Sequence, residues 1–250
     1  MDIYRTRFGP FPGCPSHDVL NDIYKVAQPP LSADIERCDI DAMEERQSIM
    51  FFPRTAIKNI LSKARIETIL KCECDSCKQG RESSPPKFDM LVTWVMDHGK
   101  ILLAILIYLG HTWLIKSLGG KADRISDGNL DAVLTVISER RPVGLSPNFK
   151  TSYRTALRLF QPRTFTMGSP TFSYTPQDRF PYLNTKPLSI ANGSFGEVFS
   201  FEIHPDYIDK EVLEKYTQSE WSQATTKVSI LLTHIITITN FQSVFLQGKY

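Results

Sequence analysis

Three cysteines stand close together as Cys72-x-Cys74-x-x-Cys77. Zinc takes four ligands in tetrahedral array, so this set needs a fourth from elsewhere, and Cys38, Cys14, His17 and His98 are the residues that folding could bring. Nothing local fixes that last ligand. Ordinary reduced thiols beside a helix end are the expectation, with zinc and thiol–disulfide chemistry the lesser readings. A second candidate lies in Lys186-Pro187-Leu188-Ser189-Ile190-Ala191-Asn192-Gly193-Ser194-Phe195-Gly196-Glu197-Val198-Phe199, which reads as strand, glycine turn and strand. Gly193 and Gly196 let the main chain approach a ligand closely, so the N–H groups of Gly193, Ser194 and Gly196 could lie over phosphates. Val198 would then wall an adenine ring. His17, His98, His111, His204 and His234 are scattered, with no Ser, Cys or carboxylate spaced as a nucleophile–base pair. No catalytic triad can be read.

Helices must position most of these residues. Val19, Leu20, Ile23 and Val26 follow Ser16 at helical spacing, and Pro29-Pro30 stops that segment. Ile57, Ile60 and Leu61, then Ile66, Ile69 and Leu70 behind Ser62, predict one kinked helix or two short ones ending near Lys71, just before the three cysteines. Residues 80–87 read as an exposed linker. The stretch from Phe88 to Leu118, interrupted at Asp97-His98-Gly99, is predicted to be the central buried helix. Its residues Leu102, Leu103, Ile105, Leu106, Ile107 and Leu109 leave no polar face. Asp127 or Asn129 is predicted to cap a further helix carrying Leu130, Val133, Leu134 and Ile137. After Pro142 the texture turns to aromatic residues among turn formers, which predicts short strands and extended chain.

Phe180-Pro181-Tyr182-Leu183, Gly193-Ser194-Phe195-Gly196-Glu197-Val198-Phe199 and Glu202-Ile203-His204-Pro205 together resemble the start of the kinase domain in fungal serine/threonine protein kinase-like proteins. The helical stretch from Leu102 to Gly110 is similar to a segment that precedes it in that group. In the kinase pattern G-x-G-x-x-G-x-V, Gly193 and Gly196 fall on the second and third glycines and Val198 on the valine, while Ala191 replaces the first glycine. The resemblance implies ATP, with Mg²⁺, held by the backbone of Gly193, Ser194 and Gly196 and by the Val198 side chain. No H-R-D or D-F-G triplet occurs, and Lys210, Lys215 and Lys227 lack a V-A-x-K context. Without a base or metal ligands phosphoryl transfer has no machinery, so no catalytic residue is assigned.

The expected fold class is thus α+β. A helical region spans 1–140, an extended connector 141–179 and a partial kinase N-lobe hairpin 180–250. The expected function is that of a truncated kinase or pseudokinase with a regulatory role. A helical protein–protein interaction module without nucleotide is the alternative, and an active kinase represented by an incomplete chain the third reading. Composition agrees with a globular protein: 250 residues, 42% hydrophobic and 22% charged. With 29 basic against 27 acidic side chains the net charge is only +2, which argues against nucleic acid as a partner. Five cysteines make no disulfide framework, the start Met1-Asp2-Ile3-Tyr4-Arg5 lacks a signal's apolar core, and neither Ile101 to Ile115 nor Val228 to Leu246 suits a membrane span. The expectation is an intracellular protein, off the membrane, that binds a protein partner through its helical region.

Overall fold

A computed structural model describes residues 13–28, 50–74, 77, 87–119, 124–140, 142, 144–165, 180–183, 188–193, 196–200 and 203–211. The chain divides into two compact units, one of Met1–Pro162 with Pro176–Arg179, the other of Arg163–Thr175 with Phe180–Tyr250.

The first unit is built around one apolar helix. Of the described elements, α1 (Pro15–Lys25), α2 (Arg54–Ile60), α3 (Lys63–Lys71), α4 (Phe88–His98), α5 (Lys100–Tyr108), α6 (Leu114–Gly119), α7 (Ala132–Arg140) and α8 (Phe149–Phe160) are α-helices. Every residue of α5 from Ile101 to Ile107 is buried, because α1, α2, α4, α6 and α8 all pack against it. A helix that is apolar all round has no other place in water.

The long apolar stretch of the sequence is three helices rather than one. α4 and α5 meet at a 96° bend, and Gly99 sits in the corner, where a Cβ would come within 3.3 Å of the Val95 Cα. α5 stops ahead of Gly110, whose φ of 71° suits glycine. The Gly110 N–H donates to the Ile107 carbonyl at 3.0 Å and the His111 N–H to the Leu106 carbonyl at 2.8 Å. That paired pattern is a Schellman stop. No single helix among the described residues is long and apolar enough to cross a membrane.

Asp127 does not cap the helix that follows it. Its carboxylate accepts from the Ile101 N–H at 3.0 Å and the Leu102 N–H at 3.1 Å. It therefore satisfies the N-terminus of α5, whose own N-cap, Gly99, has no side chain to offer. Burial raises the Asp127 pKa, against the opposing pull of those two N–H groups. α2 and α3 are two short helices broken at Leu61, and the Ser62 hydroxyl caps the second by accepting from the Arg65 N–H at 3.4 Å.

The second unit is described in part. The Phe165 N–H donates to the Tyr207 carbonyl and its carbonyl accepts from the Asp209 N–H, both at 2.8 Å. Tyr207 is fully buried beside this bridge, and Phe180 stacks on Tyr182 at 5.5 Å. β1 (Leu188–Gly193) pairs antiparallel with β2 (Gly196–Ser200), with an irregular register between Ser189 and Ala191.

The α+β expectation is corrected by this architecture. The described core is helical, and the β1–β2 ribbon is a two-stranded sheet, short of the sheet layer that an α+β fold stacks against its helices. A kinase N-lobe is not what the structure shows. The expected extended connector 141–179 also departs from the observation, since Phe149–Phe160 is helix. Phe149, Tyr153, Ala156 and Phe160 recur at helical spacing and are all buried, so their common face outweighed the strand propensity of aromatic residues.

Candidate metal centre

Cys14 enters the site from the start of α1. It is the N-cap residue, in extended backbone at φ −81° and ψ 134°, with Pro15 at the first helical position, where a missing N–H costs nothing. Val19, Leu20 and Ile23 bury one stripe of α1 in the core, which fixes where its N-terminus lies. Cys72 is the C-cap of α3. Beyond it the Cys77 N–H donates to the Cys74 carbonyl at 2.9 Å. α1 packs on α3, and Asp22 on α1 pairs with Arg65 on α3 at 2.8 Å.

These contacts bring four sulfurs into one cluster. The Sγ atoms of Cys14, Cys72, Cys74 and Cys77 all lie within 4.8 Å of one another. Cys14 is 3.7 Å from Cys72 and 3.7 Å from Cys77. All four are free thiols, since a disulfide would need sulfurs at about 2.05 Å. A tetrahedral zinc with bonds of about 2.3 Å sets its sulfurs about 3.8 Å apart, which the two separations from Cys14, at 3.7 Å, match. Cys14 and Cys77 are buried while Cys72 and Cys74 are partly open.

The surroundings fit an anionic sulfur set. Burial pushes the Cys14 thiol up, and the N–H and hydroxyl of Ser16 oppose it by favouring the thiolate. Cys74 lies below the ordinary thiol value: its partial burial works against this, but the Cys77 N–H and the neighbouring thiols prevail. Cys77 is driven far up by burial and then by the nearby Cys14 charge. Without a cation these four groups cannot all ionise, whereas a bound metal deprotonates coordinating thiols outright. The Ser16 residue itself is fully buried at the start of α1. On donor type and spacing, the four cysteines fit zinc.

No protein-family model matches the chain, and no curated protein or solved structure matches it. The kinase-like resemblance therefore rests on the residues that carry it.

Of the four fourth-ligand candidates the structure brings in Cys14. The His17 ring is hydrogen-bonded to Asn21 at 3.2 Å, His98 ends α4, and Cys38 lies outside the described residues. The nucleotide candidates are placed by backbone only. Gly193 and Gly196 face each other as the last residue of β1 and the first of β2, and Val198 pairs with Ala191. Ser194 and the ribbon's side chains lie outside the described residues, so ATP and Mg²⁺ gain no contact from the structure. His111 meets the rings of Trp113 and Phe149 edge-on, and burial lowers its pKa. His204 accepts from the Asp206 N–H at 3.2 Å and caps a short turn. These are packing and capping roles. Sequence reasoning took Ser16 as the N-cap of the first helix, but the helix begins at Pro15 and its N-cap is Cys14.

Proposed function

We propose that the chain is a non-enzymatic helical interaction module whose functional centre is a structural zinc ion held by Cys14, Cys72, Cys74 and Cys77. The supporting observation is the four-sulfur cluster within 4.8 Å, with both Cys14 separations at the tetrahedral value. Catalytic zinc keeps one position open for water or substrate, whereas four protein thiolates close the shell. The ion would clamp the start of α1 to the chain just past α3, closing a span of 58 residues between Cys14 and Cys72. Zinc is the fitting ion because thiolate ligands in tetrahedral array match its softness and its lack of geometric demand. A protein partner for the helical unit is the functional role this reading carries forward from the sequence.

Metal content decides the matter. Protein purified from zinc-supplemented culture should hold one zinc per chain by elemental analysis. The metal-free protein titrated with Co²⁺ should develop the thiolate-to-metal absorption of a tetrahedral sulfur site. A folded chain with metal content near zero and no Co²⁺ spectrum would overturn the proposal.

A further inference from the structure

The charge of the whole chain is nearly balanced, but it is unevenly placed. Between Glu139 and Asp178 the sequence carries six basic residues and no acidic one. Three of them, Lys150, Arg154 and Arg158, follow one another on α8 at intervals of four residues, which sets them on one ridge about 6 Å apart along the axis. Lys150 and Arg154 are exposed and Arg158 is half-buried. The ridge is turned away from the buried stripe of Phe149, Tyr153, Ala156 and Phe160.

This ridge works against the helix that carries it. Like charges at i and i+4 destabilise a helix. Lys150 stands in the first turn, where the helix dipole favours an acidic side chain and none is present. Elsewhere in the unit Lys25 pairs with Asp22, Lys63 with Glu67 and Arg124 with Glu139, whereas among the described residues Lys150 and Arg154 form no ion pair. Stability of α8 therefore does not account for the arrangement, and an anionic ligand would relieve it.

Three kinds of anionic surface could answer such a ridge. An amphipathic helix enters a lipid surface through its apolar face, and α8 has that face buried in the core. Single-stranded nucleic acid is held by bases stacked on exposed aromatic rings, and the aromatic residues of α8, Phe149, Tyr153 and Phe160, are all buried. A protein helix with carboxylates at i and i+4 repeats the spacing of the ridge and needs no apolar contact. Its carboxylates also suit the guanidinium forks of Arg154 and Arg158.

Resting on the protein-partner part of the reading above and not on its metal, we propose that the outer face of α8 docks an acidic helix of a partner protein, with Lys150, Arg154 and Arg158 meeting carboxylates one turn apart.

The probe is a fluorescein-labelled helical peptide with glutamate at every fourth position, titrated with the full chain and read by fluorescence anisotropy. The parent chain should bind it, and more weakly as salt rises from about 50 to 300 mM. The double variant Lys150→Glu/Arg154→Glu should bind about 10-fold more weakly or worse, while Lys87→Glu, the same charge change at an exposed position before α4, should bind as the parent does. A peptide with lysine at the glutamate positions should bind the double variant better than the parent. The double variant should melt no lower than the parent, because a carboxylate in the first turn suits the helix dipole. No binding by the parent, an equal loss in Lys87→Glu, or a lower melting temperature of the double variant would overturn the docking face. Tighter binding of labelled single-stranded DNA, lost in the same double variant, would also overturn it and assign the ridge to nucleic acid. Zinc held by a chain that ignores the peptide would overturn this proposal alone, whereas peptide bound by a chain that holds no zinc would overturn only the metal centre.

Discussion

The middle of the helical unit and its cysteine end are held by different physics. Around α5, Ile101 to Ile107 are buried by apolar neighbours on every side, and non-directional burial stabilises that region regardless of what is dissolved in the water. At the cysteine end, four sulfurs gather within 4.8 Å of one another with Cys72 and Cys74 partly open, a cluster that, on the proposed reading, a cation would hold. The first region is a property of the chain alone, while the second, on the proposed reading, would be a property of the chain and its ion.

Substitutions can separate the two regions. Cys77→Ser should abolish metal binding and show the largest dependence on conditions. At free zinc a thousand-fold above the dissociation constant the ion contributes about 4 kcal/mol. Unfolding in denaturant should show that loss in zinc and a far smaller one in chelator. Leu103→Ala, in the middle of α5 and fully buried, should cost about 2–5 kcal/mol through a cavity, and by the same amount with or without metal. Equal zinc dependence for both variants would erase the distinction.

Asp127 sharpens the comparison from the core side. Asp127→Ala should cost about 1–3 kcal/mol by leaving N–H groups of α5 without an acceptor. Its pH signature has a definite sign. The folded carboxyl holds its proton to a higher pH than its ordinary value of 3.8, so the folded state binds the extra proton in that window. This group's contribution then falls as pH rises from 3.8 towards the folded value. The stability difference between the parent chain and Asp127→Asn, measured across that window, should follow that slope. The smallest effect belongs to Arg65→Gln. It breaks an exposed pair with Asp22 at 2.8 Å and should cost less than about 1 kcal/mol, fading with salt.

Much of the core was legible, and the reason is local. The unbroken apolar run of α5, the Ser62 cap and the stripe Val19, Leu20 and Ile23 are patterns of period 3.6, readable within one or two turns. The stretch after Pro142 misled because aromatic content spoke for strand, while the spacing of Phe149, Tyr153, Ala156 and Phe160 matched the helix that formed. Asp127 misled in another way. Its residue type correctly announced a helix cap, but an N–H it serves lies 26 residues earlier, at Ile101 in α5. At the site, three of four sulfurs stood in plain view, and Cys14 was one of four candidates with nothing local to favour it.

The sequence by itself determined that α5 would be buried and that α3 would end beside a dense set of thiols. Only the tertiary structure decided that Cys14 completes the cluster, that Asp127 reaches back to α5, and that the described core is helical. Periodicity is written between neighbours in the chain. Ligation and remote capping depend on which distant segments pack together, and burial of the α1 stripe against α5 and α3 brought Cys14 to within 3.7 Å of Cys72 and Cys77.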